Sequence, residues 1–459
     1  MARNAADTVM TAPRARTGAQ GVAAVKSSDG KIGVFLAAVL VAGNMIGSGV
    51  YLLPAVLAGV GGVSLLGWGV ATAGALILAL MYAGFAHHGL DSPGQEGLIG
   101  RIAEGLGPFW GYQAAALYSV ACWVGNVAIA LAVTGYAASF FAPLKETGAS
   151  VIFTLAVIVG ATALNVFGSR FVSQLQGATL LLGLAPVILI GVGGWLAFKP
   201  ALFAAQWNVV HASPGQVLDA TMLPIFWAFL GLETAAICAV RVREPERNLA
   251  KATVLGVAAA GAVYAGACVV LLGIMPAKAI AASTAPFADG AQVMLGVGLG
   301  AVVAVCAMIR ASGTLAGWVL MTAETAQSAV ASGLFPRFLA SPGPKATVKT
   351  LTVALLIMAA ITVLSAAPAL AQQFTVLIDV AVLLSLGMYI LSAAALWRLS
   401  AKDDSRRRHM VRIACALSIA FCAGVLITAD RTQQAWTGGI VLAAAIAYFA
   451  SARRMRKAA

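Results

Sequence analysis

A glycine-rich segment, Gly43-Asn44-Met45-Ile46-Gly47-Ser48-Gly49, lies in the middle of the first long apolar stretch of the chain. Three glycines and two polar side chains destabilise an uninterrupted helix at membrane depth. One interpretation is that the small residues let a neighbouring helix pack closely. The other is that the helix unwinds here, so that its freed N–H and C=O groups line a polar cavity. The second interpretation predicts a membrane protein built around broken helices.

The apolar stretch around this segment is the first of twelve. Of the 459 residues, 61% are hydrophobic and 10% are charged, which is more apolar surface than a soluble chain of this length can bury. A spanning helix needs roughly 20 apolar residues. We place such stretches at 32–58, 63–86, 109–141, 149–167, 173–197, 216–240, 251–275, 292–326, 349–367, 371–397, 410–428 and 435–452. The alternation of a β-barrel is not seen, so the sequence predicts an all-α membrane protein.

The sixth stretch carries a second candidate break, Phe226-Trp227-Ala228-Phe229-Leu230-Gly231-Leu232-Glu233-Thr234. Interrupted helices at corresponding positions of two halves point to the binding site of an inverted-repeat transporter. We therefore predict two five-helix repeats, 31–200 and 201–400, after a disordered tail at 1–30 and before helices 11–12 and a basic terminus at 401–459. Half-helix N-termini suit a substrate carboxylate and unwound carbonyls suit an ammonium, so the predicted site has the shape of an amino acid.

The net charge of +13 orients the chain. Lysines and arginines cluster at 3–31, 241–251, 337–349, 398–412 and 453–457, which all fall on one side if the twelve stretches alternate in direction. The opposite loops hold Lys145, Lys199, Lys278 and Arg431. This asymmetry places both termini in the cytoplasm and explains the basicity without nucleic acid.

No constellation for catalysis or metal binding is evident. The six cysteines fall inside apolar stretches, and the four histidines lack metal-ligand spacing. Nucleotide-binding loops and nucleophile elbows are not found either. We expect a protein that is not an enzyme and that uses no cofactor and no metal.

The segment from Gly43 to Pro54 resembles the first helix of the bacterial basic amino acid/polyamine antiporters of the amino acid–polyamine–organocation (APC) superfamily. Four further stretches agree in order and spacing, at 118–126, 226–233, 244–248 and Gly317-Trp318. The resemblance extends from Gly33 into the twelfth stretch and implies a 5+5 inverted-repeat core of the LeuT type. The third helix is most similar to members that exchange arginine for agmatine, and residues 227–233 to those that exchange putrescine for ornithine.

The resemblance implies roles for individual residues. The first-helix turn would hold the substrate carboxylate and amine, the third helix would line a guanidinium pocket, and Trp227 would close over the substrate while Trp318 stacks on its cation. A deeper gate would consist of Tyr118, Glu233 and Tyr389. The implied binding residues are Asn44, Met45, Gly47, Ser48, Gly49, Ala121, Cys122, Asn126, Ile129, Trp227, Ala228, Leu230 and Trp318. The serine that the family has on helix 10 is replaced by Ala381.

Glu233, Arg310 and Asp379 are ionisable residues well inside the predicted spans, and such residues are expensive enough to suggest a function. Glu233 is the natural partner for a cation or a proton, or it forms a structural hydrogen bond. Arg310 and Asp379 depart from the family pattern. They form a structural ion pair, or Arg310 supplies a fixed positive charge between helices 1 and 8, or Arg310 contacts a substrate carboxylate.

We expect sodium-independent exchange of a cationic amino acid for its decarboxylated amine in the bacterial inner membrane, arginine for agmatine first. The alternatives are exchange of the putrescine/ornithine or lysine/cadaverine type, and proton-coupled uptake. The expected partners are the small cationic substrate, membrane lipid and a second copy of the chain.

Overall fold

The computed structural model describes residues 33–45, 47, 49–85, 97–233, 245–340, 348–367 and 369–458. Every regular element in these ranges is helical. The predicted tail at 1–30 lies outside the described residues. In chain order the helices are α1 Val34–Met45, α2 Gly49–Ala58, α3 Leu65–Phe85, α4 Gly97–Leu106, α5 Pro108–Ala137, α6 Thr147–Leu164, α7 Ser169–Gly191, α8 Pro200–Ala205, α9 Pro214–Trp227, α10 Pro245–Ile274, α11 Ala277–Ala281, α12 Pro286–Leu295, α13 Val297–Ala331, α14 Val348–Leu364, α15 Leu370–Leu399, α16 Ser405–Thr428 and α17 Arg431–Ala458.

Each of the twelve predicted stretches contains helix. Among the described residues, eight helices are long and apolar enough to cross a membrane. The four remaining stretches correspond to the pair α1–α2 and to α9, α14 and α17. The predicted all-helical membrane architecture is confirmed.

The first predicted break is present. Helix α1 ends at Met45 and α2 begins at Gly49. Between them the N–H of Gly47 donates to the carbonyl of Met45 over 2.7 Å, which turns the chain out of the helical path. The glycines that interrupt the apolar stretch therefore divide one span into two short helices.

Helix α9 starts at a capping box, in which Ser213 and Gln216 satisfy each other's backbone N–H groups, and it ends at Trp227. Residues 228–233 continue as turns, and Gly231 has a φ of 97°, a conformation that glycine adopts without strain. The predicted second break thus begins at Trp227. Residues 234–244 lie outside the described residues.

The stretch predicted as one span from 292 is two helices, α12 and α13. Gly296 separates them with a φ of 93°, a backbone conformation that ends α12. Because apolar residues continue on both sides of Gly296, the apolar pattern does not reveal this break. The short helices α4, α8 and α11 were not predicted, because they lie in connections outside the apolar stretches.

The packing has a centre and a periphery. In the most apolar part of α5, 83% of the residues are buried, whereas in that of α16 the share is 22%. Helix α5 packs against α13 and α15, and α16 packs on the outer side of α15. We call the end of the molecule where α15 ends and α16 begins, marked by Arg398, Lys402 and Arg406, the basic face.

Candidate functional site

The Glu233 carboxylate accepts hydrogen bonds from two tyrosines on different helices. Tyr118 of α5 donates to Oε1 over 2.8 Å, and Tyr389 of α15 donates to Oε2 over 2.6 Å. The N–H of Gly231 adds a bond of 3.2 Å to Oε2, because the turn after α9 folds this amide back toward the carboxylate. All three side chains are buried. The structure therefore brings together the three residues that the resemblance assigns to a gate.

This cluster lies off the middle of α5 and α15, toward one end of each helix. Tyr118 is ten residues from the start of α5, and Tyr389 is ten residues from the end of α15. At 1.5 Å per residue, both are about 15 Å from the helix ends at the basic face.

Two aromatic rings pack against Tyr389. Tyr82 of α3 packs edge-on against it with ring centroids 5.5 Å apart, and Phe226 of α9 packs edge-on at 6.5 Å. The hydroxyl of Tyr82 also donates to Ser392 of α15 over 3.3 Å. Sequence reasoning missed Tyr82, because one tyrosine in an apolar helix carries no sign of what it faces.

Asn126 connects α5 to α13 beside two of the predicted tryptophans. Its Nδ2 donates to Thr322 Oγ1 over 3.0 Å, and Thr322 donates to the carbonyl of Trp318 over 2.7 Å. The preceding residue, Gly125, packs against Trp227 so closely that a β-carbon there would lie 3.1 Å from the indole. Asn126 is fully buried, and its Oδ1 has no hydrogen-bond partner within the described part of the chain. A buried acceptor without a donor is suited to a donor on a ligand.

The other predicted binding residues lie around the break between α1 and α2, on α5 and in the turns after α9. Gly47 faces α13, where a β-carbon would lie 3.0 Å from Thr314 Cγ2. Ser48 and the side chain of Asn44 lie outside the described residues, and Gly49 begins α2. The remaining ones are buried, namely Met45, Ala121, Cys122, Ile129, Ala228 and Leu230. Ala381, which stands in the position of the family serine, is buried as well. Their contacts with a substrate stay predictions.

The Arg310 guanidinium binds the first broken helix. Its Nη2 donates to the carbonyl of Gly43 over 2.9 Å, and its Nη1 donates to the carbonyl of Gln176 in α7 over 3.4 Å. The side chain is 1% exposed and runs past Gly183, where any β-carbon would overlap it. The carbonyl of Gly183 in turn accepts from Tyr51 of α2 over 2.7 Å. Arg310 therefore lies where both pieces of the broken helix meet α7.

Asp379 is bound elsewhere, and the ion pair with Arg310 considered from the sequence is not formed among the described residues. Asp379 Oδ2 accepts a bond of 2.8 Å from Nε2 of Gln433 in α17. Gln433 is itself held at the start of α17, where its N–H donates to Asp430 over 2.8 Å. Arg310 and Asp379 stand at similar depth on parallel predicted spans, but they face different helices.

Broken helix ends beside a buried carboxylate, two tyrosines and two tryptophans are the arrangement expected of a membrane transport protein. The chain belongs to the amino acid permease family, whose model matches residues 32–450, and this membership indicates a transporter rather than an enzyme. The predicted membership of the APC superfamily is confirmed.

The chain is 34% identical to the cadaverine/lysine antiporter of Escherichia coli (strain K12) over 418 residues, which cover 90% of this chain and 93% of that relative. It is 31% identical to the putrescine transporter PotE of the same strain over 372 residues, covering 81% and 84% of the two chains. The PotE of Haemophilus influenzae is similar to the same degree, 31% over 376 residues. These relatives confirm the resemblance to basic amino acid/polyamine antiporters, and none of them is named for arginine or agmatine.

Proposed function

We propose that this chain exchanges a cationic amino acid for its decarboxylated amine across the bacterial inner membrane, with lysine and cadaverine as the pair. The similarity to a cadaverine/lysine antiporter over nearly the whole of both chains supports this pair. It replaces arginine and agmatine, the pair expected from the third helix, as the first candidate. Arginine/agmatine and ornithine/putrescine become the comparison substrates.

The observation that carries the proposal is the Glu233 carboxylate beside the end of α9. Three donors converge on it, an arrangement that suits a negative charge. Within the described part of the chain, no lysine or arginine forms an ion pair with it. Glu233 is therefore the buried group available to a positively charged substrate.

The acceptors favour an ammonium over a guanidinium. Both carboxylate oxygens of Glu233 already accept hydrogen bonds, and beside Trp227 the Oδ1 of Asn126 is an acceptor that has no donor among the described residues. A guanidinium is a planar fork that binds best to two parallel acceptors, whereas an ammonium is a point charge that single acceptors satisfy. The face of Trp318 would add about 0.5–2 kcal/mol for either cation.

Transport would proceed by alternating access. With Tyr118 and Tyr389 bound to Glu233, the layer toward the basic face is closed. A cationic substrate that competes for one of these carboxylate oxygens would release the tyrosine bound to it and open this layer, while Trp227 would close over the substrate from the other side. The basic face would be cytoplasmic, since lysine and arginine accumulate on that side of bacterial membranes.

The exchange would make the cytoplasm more negative, which builds up membrane potential, and would remove acid. Lysine carries a net charge of about +1 at neutral pH and cadaverine about +2, because decarboxylation removes the carboxylate. Exporting the diamine in return for the amino acid therefore exports one additional positive charge. This is the charge of the proton that the cytoplasmic decarboxylation consumes.

Arg310 would make the exchange independent of sodium. Its guanidinium binds the Gly43 carbonyl near the end of α1, where its fixed charge would serve in place of a metal cation. Replacing sodium by choline on both sides of the membrane should leave exchange unchanged. A requirement for sodium would contradict this role.

The test is counterflow in proteoliposomes of the purified full chain. Vesicles preloaded with cadaverine should take up labelled lysine, and empty vesicles should not. Competition with unlabelled lysine, ornithine, arginine, agmatine and putrescine ranks the substrates. Uptake by empty vesicles that follows a pH gradient alone would contradict exchange and favour proton-coupled uptake. If vesicles preloaded with agmatine take up more labelled amino acid than vesicles preloaded with cadaverine, the exchanged pair would be arginine and agmatine.

A further inference from the structure

The connection between α15 and α16 concentrates positive charge where two outer helices reach the basic face. Between Trp397 and Arg412 the sequence has six basic residues and two acidic ones. We call residues 397–412 the basic hairpin. Its basic side chains are all partly or fully exposed, and they are Arg398, Lys402, Arg406, Arg407, Arg408 and Arg412.

The two acids of the basic hairpin are outnumbered by its six lysines and arginines. The Asp404 carboxylate caps α16, where it accepts from the N–H of Arg407 over 3.0 Å. Asp403 Oδ2 lies 3.9 Å from Arg407 Nε, at ion-pair distance. The Nη2 of Arg407 is shielded from solvent and has no hydrogen-bond partner among the described residues.

A second arginine is held in place by an aromatic ring. The guanidinium carbon of Arg412 lies 5.1 Å from the centroid of Trp397, whose own side chain is 39% exposed. The Nε of Arg412 is also shielded, and none of the residues that the structure describes forms a hydrogen bond with it. Arg408 lies one turn earlier on the same side of α16, since residues four apart share a helix face. Stacking thus fixes a guanidinium whose donors are not used within the described chain.

We propose that the basic hairpin binds the phosphate of an anionic phospholipid. Guanidinium groups match phosphate oxygens with their fork of donors. Basic clusters directly beside membrane spans attract anionic headgroups, and an exposed tryptophan such as Trp397 lies at headgroup level. The site stands where α15 and α16 leave the bilayer, so its ligand comes from the lipid surface. The proposal is independent of the proposed exchange.

The test measures binding to the purified full chain in detergent by the shift of the melting temperature on titration. The probes are dioleoyl-phosphatidylglycerol, the zwitterionic dioleoyl-phosphatidylcholine and inorganic phosphate. Phosphatidylglycerol alone should raise the melting temperature of the wild-type chain. In the double variant R407Q/R412Q its apparent affinity should fall about 25-fold, roughly fivefold for each arginine near the surface.

Matched variants separate this site from general charge. R170Q/R337Q removes two exposed arginines outside the basic hairpin and should bind phosphatidylglycerol like the wild type. R407K/R412K keeps the charge without the planar fork, should bind with intermediate affinity, and serves if the glutamine variant does not fold. Equal losses in R407Q/R412Q and R170Q/R337Q would overturn the proposal, as would an equal response to phosphatidylcholine. A response to inorganic phosphate that R407Q/R412Q loses would show that the site binds free phosphate, and it would overturn the proposal that the ligand is a lipid.

Discussion

The separate partners of Arg310 and Asp379 predict that these residues stabilise the fold independently. Arg310 binds the Gly43 carbonyl over 2.9 Å, and Asp379 binds Gln433 over 2.8 Å. In a double-mutant cycle of Arg310→Met and Asp379→Ala, the two changes break no shared bond. Their effects on the free energy of unfolding should therefore add to within about 0.5 kcal/mol. Breaking a buried ion pair by removing one partner costs about 3–5 kcal/mol, and a cycle across such a pair would be strongly non-additive.

A cycle of Asp379→Ala with Gln433→Ala is the matched positive control. These side chains do share a hydrogen bond, and a bond to a charged group contributes about 1.5–3 kcal/mol. The coupling energy should fall in that range. Arg310→Met alone should cost about 1–3 kcal/mol, because it leaves the Gly43 carbonyl without its donor.

Unfolding of the purified chain in mixed micelles, titrated with dodecyl sulfate, gives these free energies. Counterflow in proteoliposomes measures transport for the same variants. Asp379→Ala should not rescue the transport that Arg310→Met loses. A coupling between Arg310 and Asp379 as large as that of the control cycle, or recovery of transport in the double variant, would refute the assignment of separate partners.

Three further changes test the site and its surroundings. Glu233→Gln should weaken the binding of lysine and cadaverine by about 10- to 150-fold in calorimetry, as expected for a lost charge-assisted contact, and should leave the binding of norleucine unchanged. Equal losses of affinity for all three ligands would contradict the role of the charge. Trp318→Leu should weaken cation binding by about 0.5–2 kcal/mol in the same assay, and a silent change would remove the cation–aromatic contact. Gly183→Ala should lower the free energy of unfolding by about 1–3 kcal/mol, because its β-carbon overlaps Arg310, whereas Gly177→Ala in the same helix meets open space and should be nearly neutral.

The amino-acid sequence determines the membrane spans and the breaks. The bilayer thickness sets a minimum length of apolar chain, so composition alone locates a span. Glycines and polar residues clustered inside such a stretch destabilise an intact helix, so they also indicate the break between α1 and α2 and the end of α9. The motif resemblance correctly grouped Tyr118, Glu233 and Tyr389, because it carries information about spatial proximity that spacing lacks.

Only the tertiary structure decides which buried polar groups meet. Each residue turns a helix by 100°, so two charges at equal depth face each other only for particular rotations and neighbours. Arg310 and Asp379 show this: depth suggested a pair, and helix rotation directs one to α1 and the other to α17. Helix rotation and neighbouring helices likewise determine that Tyr82 packs against Tyr389 and that Arg412 stacks on Trp397. Apolar length fixes where a helix lies in the membrane, whereas the packing of its neighbours fixes what each of its faces binds.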